Sequence, residues 1–367
     1  MATNDDWSSA EEEGLANDLE RLALEREAES APAPTPAVAT EVTDPFDRAV
    51  SHALPCFSTV RQIGLYVWRP LSPKRGDLKP FANATEEDFV SRIKIAPHEG
   101  DVPVVNLSGV ALPVDFVRNP KPQFLPNRFP NDPGVGAALA AAAMRGLDWR
   151  TLDFVIGGSG LHVLSARSTS GNVYLVQKVQ GALTLGKHAE YTSDLQARGF
   201  QFERLVTGER MDGRANEDCV ASLQVAMVGP FKIYFHAELD AVDGEGAHVE
   251  IKSGNPHKFG SKEMFQMVAS RSSKLIYAVC QGNRVVGIQE EGLEDVARRT
   301  SASKRADLEA TLLENLRELK DLADEVSEDV PSQLTFENGR VKLTPRPDLS
   351  QLPSRAVLDA LLARTLG

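Results

Sequence analysis

Carboxylates and a lysine recur at two-residue spacing in the segment 232–253, whose sequence is KIYFHAELDAVDGEGAHVEIKS. Its first half alternates apolar and polar residues as a β-strand does, which places His236, Glu238 and Asp240 on the polar face. The sequence DGEG then favours a turn, and the returning strand carries Glu250 and Lys252 on its polar face. If the apolar faces match across this hairpin, Asp240 falls opposite or beside Glu250. The same register brings Glu238 opposite or beside Lys252, so one patch collects three carboxylates and one ammonium group.

Such a patch carries an electrostatic conflict. Like charges directly across a strand pair destabilise it, and two adjacent carboxylates do not both ionise comfortably. A divalent cation would remove the conflict, and carboxylate oxygens are ligands that suit Mg²⁺ or Mn²⁺. The pattern therefore favours a metal site. The solvated outer face of an antiparallel sheet is the alternative, since it alternates in the same way.

Residues 199–266 carry further motifs in a fixed order around this patch. The series reads GFQFE, NEDC, ELD, EIK and KEMFQ. It resembles the motif order of the DXO/Rai-type decapping nucleases, whose Glu-x-Asp and Glu-x-Lys pairs are similar to the core of PD-(D/E)xK nucleases. Weaker similarity extends from residue 63 to the C-terminal helix.

The resemblance implies hydrolysis of an RNA phosphodiester with two Mg²⁺ or Mn²⁺ ions. The implied metal ligands are Glu203, Glu238, Asp240, Glu250 and the backbone carbonyl of Ile251. Glu238 would also orient water, and Lys252 would position the nucleophile and offset charge in the transition state. The implied substrate contacts are Cys219, Lys252 and Gln266, with Lys79 and Gly158 as further candidates. The substrate would be an RNA 5′ end with an incomplete or non-standard cap, including an NAD cap, and 5′–3′ exoribonuclease activity is a second expectation.

Two departures from the family pattern concern recognition of the substrate. The family usually carries Trp-Arg-Gly after a strand-like Phe-Val, whereas residues 154–159 read FVIGGS here. An arginine that could hold a phosphate by two parallel hydrogen bonds is therefore missing. Glu263 and Met264 stand where two aromatic residues are expected before Gln266. We expect hydrolysis to survive, because the metal ligands are intact, and recognition of the RNA 5′ end to be weaker or altered.

The predicted fold class is α+β, with a mixed, mostly antiparallel β-sheet core flanked by helices and a PD-(D/E)xK-like nuclease core. Helices are predicted at 134–146, 187–207, 261–271 and 304–326. Strands are predicted at 55–70 (as a strand pair), 151–156, 161–168, 172–179, 220–228, 232–242, 248–253, 274–280 and 284–289. The sequence GGSG at 157–160 is not interpreted as a phosphate-binding loop, because no Gly-Lys-Ser/Thr follows it.

Residues 1–45 are predicted to form a disordered, acidic and Ala/Pro-rich tail, and residues 46–367 a single nuclease domain. The tail holds −10 of the net charge of −12, which leaves −2 for the remainder and allows a local basic groove. Helical spacing within the tail relates Leu15, Leu19, Leu22 and Leu24. This spacing is typical of a short solvated helix or of a strip that docks a partner, and it also resembles a leucine-rich nuclear export signal.

The three cysteines form no CxxC pair, so neither a disulfide framework nor a zinc site is indicated. A reducing compartment follows, and we expect the nucleus, the cytoplasm or both. No apolar run is long enough to cross a bilayer, so a membrane is not an expected partner. The expected partner is an RNA 5′ end, with a 5′–3′ exoribonuclease as a second candidate. Two other functions stay open: a PD-(D/E)xK nuclease that acts on DNA, and a weakly catalytic or non-catalytic activator of a 5′–3′ exoribonuclease.

Overall fold

A computed structural model describes residues 44–68, 85–91, 93–95, 101–117, 135–188, 194–209, 211, 219–349 and 352–363. The tail predicted at 1–45 lies outside these ranges except for Asp44 and Pro45, and so does the candidate Lys79. Asp44 accepts a hydrogen bond from the backbone N–H of Phe46 and caps the first helix, in which Pro45 is the first residue.

Helices and strands follow one another irregularly, as in an α+β fold. The helices of the described ranges are α1 (Pro45–Ala53), α2 (Glu86–Val90), α3 (Val135–Met144), α4 (Gly160–Ala166), α5 (Asp194–Val206), α6 (Ser261–Ser270), α7 (Leu293–Arg298), α8 (Ala302–Asp321) and α9 (Arg355–Ala363). The strands are β1 (Phe57–Trp68), β2 (Ile93–Lys94), β3 (Val114–Asp115), β4 (Phe154–Gly157), β5 (Tyr174–Val179), β6 (Ala182–Lys187), β7 (Cys219–Val228), β8 (Phe231–Glu238), β9 (Ala241–Val242), β10 (His248–Lys252), β11 (Lys274–Gln281), β12 (Arg284–Gly292), β13 (Ser332–Glu337) and β14 (Arg340–Pro345). Among these helices, none combines the length and the apolar character that a bilayer span requires.

The strands of the described ranges form two sheets. The large sheet has the order β14-β13-β5-β6-β4-β8-β7-β1-β2, and the small sheet has the order β3-β12-β11-β10-β9. Most neighbouring strands are antiparallel, but β4 runs parallel to both β6 and β8, and β10 runs parallel to β11. The predicted α+β class with mixed, mostly antiparallel pairing is therefore confirmed, although the pairing is divided between two sheets.

Both faces of the large sheet are buried at its centre. Phe154 and Phe235 belong to one apolar cluster with residues of α4, α6 and α8, whereas Val155 and Tyr234 belong to a second cluster with the alanine-rich α3 and with α9. His236 alternates with Phe235 and so lies on the second face, where its side chain is only 7% exposed. The alternative of a solvated outer face is therefore wrong at His236, whereas Glu238 at the end of the strand is exposed.

Three expectations about single elements are also wrong. Residues 161–168, expected as a strand, form α4, because periodicity does not distinguish a short buried helix from a short buried strand. The helix expected at 187–207 is described only from Asp194, and Lys187 instead ends the strand β6. The strand pair expected at 55–70 is the single strand β1, in which Gly64 lies at a register shift against β7 rather than in a hairpin turn.

Candidate active site

The candidate carboxylates lie where the chain passes from one sheet to the other. Strand β8 ends at Glu238, whose cross-strand neighbour in the large sheet is Ala221. Leu239 donates a backbone hydrogen bond to Val220, and after Asp240 the chain enters β9 in the small sheet. Glu238 therefore does not lie directly opposite Lys252 in one hairpin, because the two residues belong to different sheets. That Glu238 lies beside Lys252 stays a prediction.

The other half of the expected hairpin is present. Strands β9 and β10 are antiparallel neighbours, in which His248 lies opposite Val242 and Val249 lies opposite Ala241. One further step in this register places Glu250 opposite Asp240. The backbone N–H of Ile251 donates a hydrogen bond of 2.7 Å to Oδ2 of Asp240. Asp240 is thus held beside β10, as the alternating pattern predicts.

Lys252 lies between the two carboxylates. Its ammonium group hydrogen-bonds Oε1 of Glu250 and lies 3.9 Å from Oδ2 of Asp240. Burial by itself would lower the pKa of Lys252, but the charges of Glu250 and Asp240 outweigh it and raise the pKa above the usual lysine value. Lys252 therefore stays positively charged.

At Asp240, burial and the neighbouring charges both disfavour the ionised carboxylate. Burial is the largest influence and raises its pKa well above the usual value, and the negative charges of Glu250, Glu203 and Glu238 act in the same direction. Lys252 lowers the pKa of Asp240 without cancelling these effects. Four carboxylates thus interact around a single lysine, so the centre has a surplus of acidic groups.

A divalent cation fits the chemistry of this donor set, since carboxylate oxygens are hard ligands and the surplus negative charge needs compensation. In the part of the chain that the structure describes, no three or more His, Cys, Asp or Glu side chains are already arranged as a metal site. The ammonium group of Lys252 lies between Glu250 and Asp240 and compensates part of their negative charge.

Glu203 reaches this centre from α5. The neighbouring Phe202 is fully buried in a cluster with Val249 and Ile251, so it anchors the helix against the strand that carries Glu250. A Cβ added to Gly199 would lie 3.9 Å from Oε1 of Glu203, which is an ordinary van der Waals distance. Packing against the described residues therefore does not explain this helical glycine.

The remaining candidates surround the carboxylates. The thiol of Cys219, the first residue of β7, donates a hydrogen bond of 3.4 Å to Glu238. Gln266 on α6 has a buried Oε1 that accepts no hydrogen bond from another described residue. Ser270, one turn further along α6, donates a hydrogen bond of 3.4 Å to Oε2 of Glu250. The sequence analysis missed Ser270, although its four-residue spacing from Gln266 was a visible signal.

The two residues that replace aromatic side chains before Gln266 have structural roles. Oε2 of Glu263 accepts a hydrogen bond of 2.8 Å from the backbone N–H of Gly260 and so caps the start of α6. Met264 is fully buried in the core cluster that α6 shares with the large sheet. These replacements stabilise the position of the helix rather than face a substrate.

Gly158 lies in the turn after β4, where the family pattern has its arginine. A Cβ at this position would lie 2.9 Å from the Cβ of Ala237 on β8, closer than real contacts allow. The glycine is therefore required by close packing of the turn against β8, and an arginine would not fit on this backbone. At this position only the backbone N–H and carbonyl of Gly158 could contact a substrate.

The chain resembles known proteins in its three-dimensional structure. No family model and no curated protein match the chain. Its structure is similar to Rai1 of S. pombe, with a TM-score of 0.58 and 13% identity over 79% of this chain and 94% of the other. It is also similar to Candida albicans Rai1 in complex with pU5-Mn²⁺, with a TM-score of 0.57 and 12% identity over 84% of this chain and 96% of the other.

K. lactis Dxo1 in complex with manganese is a third similar structure, with a TM-score of 0.50 and 10% identity over 81% of this chain and 93% of the other. The fold thus belongs to the class of the DXO/Rai-type decapping nucleases, which the sequence motifs resemble. In particular, it is the fold of the Rai1 and Dxo1 proteins.

Proposed function

We propose that this chain is a metal-dependent nuclease that acts on RNA 5′ ends and removes incomplete or non-standard caps, including NAD caps. The observation that carries the proposal is the pair of Glu250, which is buried, and Asp240, which is partly buried, with Glu203 and Glu238 in electrostatic range and Lys252 between them. This arrangement lies in a chain with the Rai1 and Dxo1 fold.

The residues suited to hold Mg²⁺ or Mn²⁺ are Glu203, Glu238, Asp240, Glu250 and the backbone carbonyl of Ile251. When bound, two such ions would polarise the scissile phosphate and lower the pKa of a water molecule. The N–H of Ile251 orients Asp240, and Oγ of Ser270 lies 3.4 Å from the second carboxylate oxygen of Glu250. Lys252 stays charged and would offset the negative charge that develops on the phosphate.

The substrate class rests on the similar structures. Candida albicans Rai1 binds pU5 with Mn²⁺, and S. pombe Rai1 binds 3′-FADP. Scheffersomyces stipitis Rai1 binds (3′-NADP)⁺ and a calcium ion, with a TM-score of 0.52 to this chain. These ligands are an RNA segment and dinucleotides, which supports an RNA 5′ end with a dinucleotide-type cap as the substrate. The unpartnered Oε1 of Gln266 and the backbone near Cys219 are the groups we assign to the terminal nucleotide.

The test is product analysis with Mn²⁺ on matched RNAs that carry triphosphate, unmethylated-cap, methylated-cap or NAD 5′ ends, beside a DNA oligonucleotide with a 5′ phosphate. We expect release of the intact cap or dinucleotide from at least one of the non-standard RNA ends. Degradation from the 5′ end after this release would show exoribonuclease activity as well. Cleavage of the DNA alone, or of none of the RNAs, would contradict the proposal.

A further inference from the structure

A group of basic side chains lies outside the carboxylate centre, near the ends of the neighbouring parallel strands β4 and β6. It consists of Lys187, His162 and Lys262, which we call the basic cluster. Lys187 is the last residue of β6, His162 lies in α4, and Lys262 is the second residue of α6. Lys262 is exposed, and the other two side chains are half-buried.

Strand pairing fixes the position of Lys187. Lys187 pairs directly with Tyr174 on β5, so both side chains lie on the same face of the sheet. Tyr174 belongs to the core cluster that includes α6, and its hydroxyl donates a hydrogen bond of 2.8 Å to Oγ of Ser159. The turn after β4 is thus tied to the surface on which Lys187 lies.

The helices α4 and α6 bring the other two residues to the same place. The ring of His162 lies 6.4 Å from the ring of Phe265, which joins α4 to α6. Burial lowers the pKa of His162 and of Lys187, and the charge of Lys262 lowers both pKa values further. His162 is therefore mostly neutral near pH 7, and Lys187 and Lys262 supply the positive charge of the cluster.

The basic cluster lacks an anionic partner within the described residues. The structure records no ion pair between Lys187, His162 or Lys262 and any described carboxylate, whereas Lys178 on the adjacent strand pairs with Asp324. Lys187 is partly buried and Lys262 exposed, so an anion that bound between them would meet two positive charges that no described carboxylate compensates.

One face of α6 connects the basic cluster with the carboxylate centre. Lys262, Gln266 and Ser270 follow at four-residue spacing and therefore lie on one stripe of the helix. Ser270 hydrogen-bonds Glu250 at one end, and Lys262 lies about 12 Å away at the other end, given a rise of about 1.5 Å per residue. Gln266 lies between them with its unpartnered buried oxygen.

We propose that Lys187, Lys262 and His162 form a phosphate-binding site that holds the RNA backbone at the far end of this stripe, away from the bond that is cut. The inference rests on the proposed function, because RNA is taken as the ligand. The phosphate that binds there is either the terminal 5′ phosphate of the RNA or an internal phosphodiester.

The test measures RNA binding by the full-length chain with Glu250→Gln as a slow-cleaving background. The probes are short oligoribonucleotides labelled at the 3′ end, one with a 5′ phosphate and one with a 5′ hydroxyl, read by fluorescence anisotropy at several salt concentrations. Lys187→Gln and Lys262→Gln are each compared with Lys342→Gln, a matched control on the edge strand β14 whose lysine pairs with Glu337. Thermal unfolding checks that every variant is folded.

We expect each of the two substitutions to weaken binding about tenfold, as removal of a charge-assisted hydrogen bond does, while Lys342→Gln has no effect. The logarithm of the association constant decreases with the logarithm of the salt concentration. This dependence should become shallower by about 0.7 for each phosphate that is no longer neutralised, a change that a purely structural role would not produce. A loss of affinity confined to the 5′-phosphorylated RNA would assign the site to the terminal phosphate, and an equal loss on both RNAs would assign it to an internal phosphodiester.

Unchanged affinity and salt dependence in both folded variants would overturn the phosphate site and leave the proposed function standing. Failure of the unsubstituted chain to bind or cut any RNA would overturn both.

Discussion

The backbone N–H of Ile251 lies 2.7 Å from Oδ2 of Asp240 and donates a hydrogen bond to it. This hydrogen bond fixes a carboxylate from the segment between two sheets against the strand that carries Glu250 and Lys252. The peptide N–H of Ile251 thus orients an acid whose pKa is raised by burial and by three neighbouring carboxylates. Lys252 compensates part of this negative charge, and a bound cation would compensate more.

Asp240→Asn should stabilise the metal-free protein. Asparagine keeps an oxygen that can accept from Ile251 and removes one charge from four crowded carboxylates. A relief of about 1 kcal/mol would raise Tm by roughly 2 °C. Asp307→Asn, at an exposed position of α8, serves as the control and should leave Tm unchanged. A clear fall in Tm for Asp240→Asn, measured in a chelator by calorimetry, would show that the carboxylates do not repel one another.

Mn²⁺ should stabilise the unsubstituted chain and not the double variant Asp240→Asn with Glu250→Gln. A ligand present at 100 times its Kd stabilises the folded state by about 2.7 kcal/mol, provided that it does not bind the unfolded chain. Thermal unfolding with and without Mn²⁺ measures this effect independently of any reaction. Equal Mn²⁺-dependent shifts in both proteins would place the metal at other residues.

Gly158→Ala should destabilise the protein, by about 1–3 kcal/mol, because the new Cβ would meet that of Ala237 on a central strand. Gly244→Ala is the matched control, since nothing lies within 4 Å of its added Cβ. Denaturant unfolding of both variants would compare the two glycines directly. If the two variants proved equally stable, the turn after β4 would have to be more open, and an arginine at position 158 would become possible again.

Removal of residues 1–43 should leave catalysis and stability nearly unchanged, whereas removal of residues 1–45 should cost stability. Asp44 caps α1, and its carboxylate pairs with Arg271 at the end of α6. Loss of a helix cap costs about 1 kcal/mol. The two truncated proteins are compared by urea unfolding and by turnover on a short RNA. A large fall in turnover after removal of residues 1–43 would show that the tail contributes to the active site.

The sequence predicted the hairpin that joins Asp240 to Glu250, because a period of two residues determines which side chains share a face of a strand. It did not predict that β8 and β9 belong to different sheets, since a strand that leaves one sheet for another keeps the same alternation. His236 was placed on a polar face, yet it is buried, because α3 and α9 cover that side of the large sheet.

The sequence pattern did not predict contacts between segments that are distant along the chain. The close approach of Gly158 to Ala237 depends on the parallel pairing of β4 with β8, which local pattern does not specify. Lys187 was assigned to a helix and therefore could not be grouped with Lys262. The roles of Glu203, Glu238, Asp240, Glu250 and Lys252 in catalysis stay predictions, which only activity measurements can test.

The most direct of these measurements is Mn²⁺-dependent cleavage of an RNA with an NAD 5′ end by the unsubstituted chain, by Glu250→Gln and by Glu245→Gln. Glu245 is exposed in the turn of the same hairpin, so its substitution controls for the loss of one carboxylate. We predict that Glu245→Gln cleaves at the unsubstituted rate and that Glu250→Gln is slower by at least about a hundredfold, since changes beyond the metal ligands alone cost about 10–100-fold. Equal cleavage by Glu250→Gln and the unsubstituted chain would contradict the assignment of this carboxylate centre as the active site.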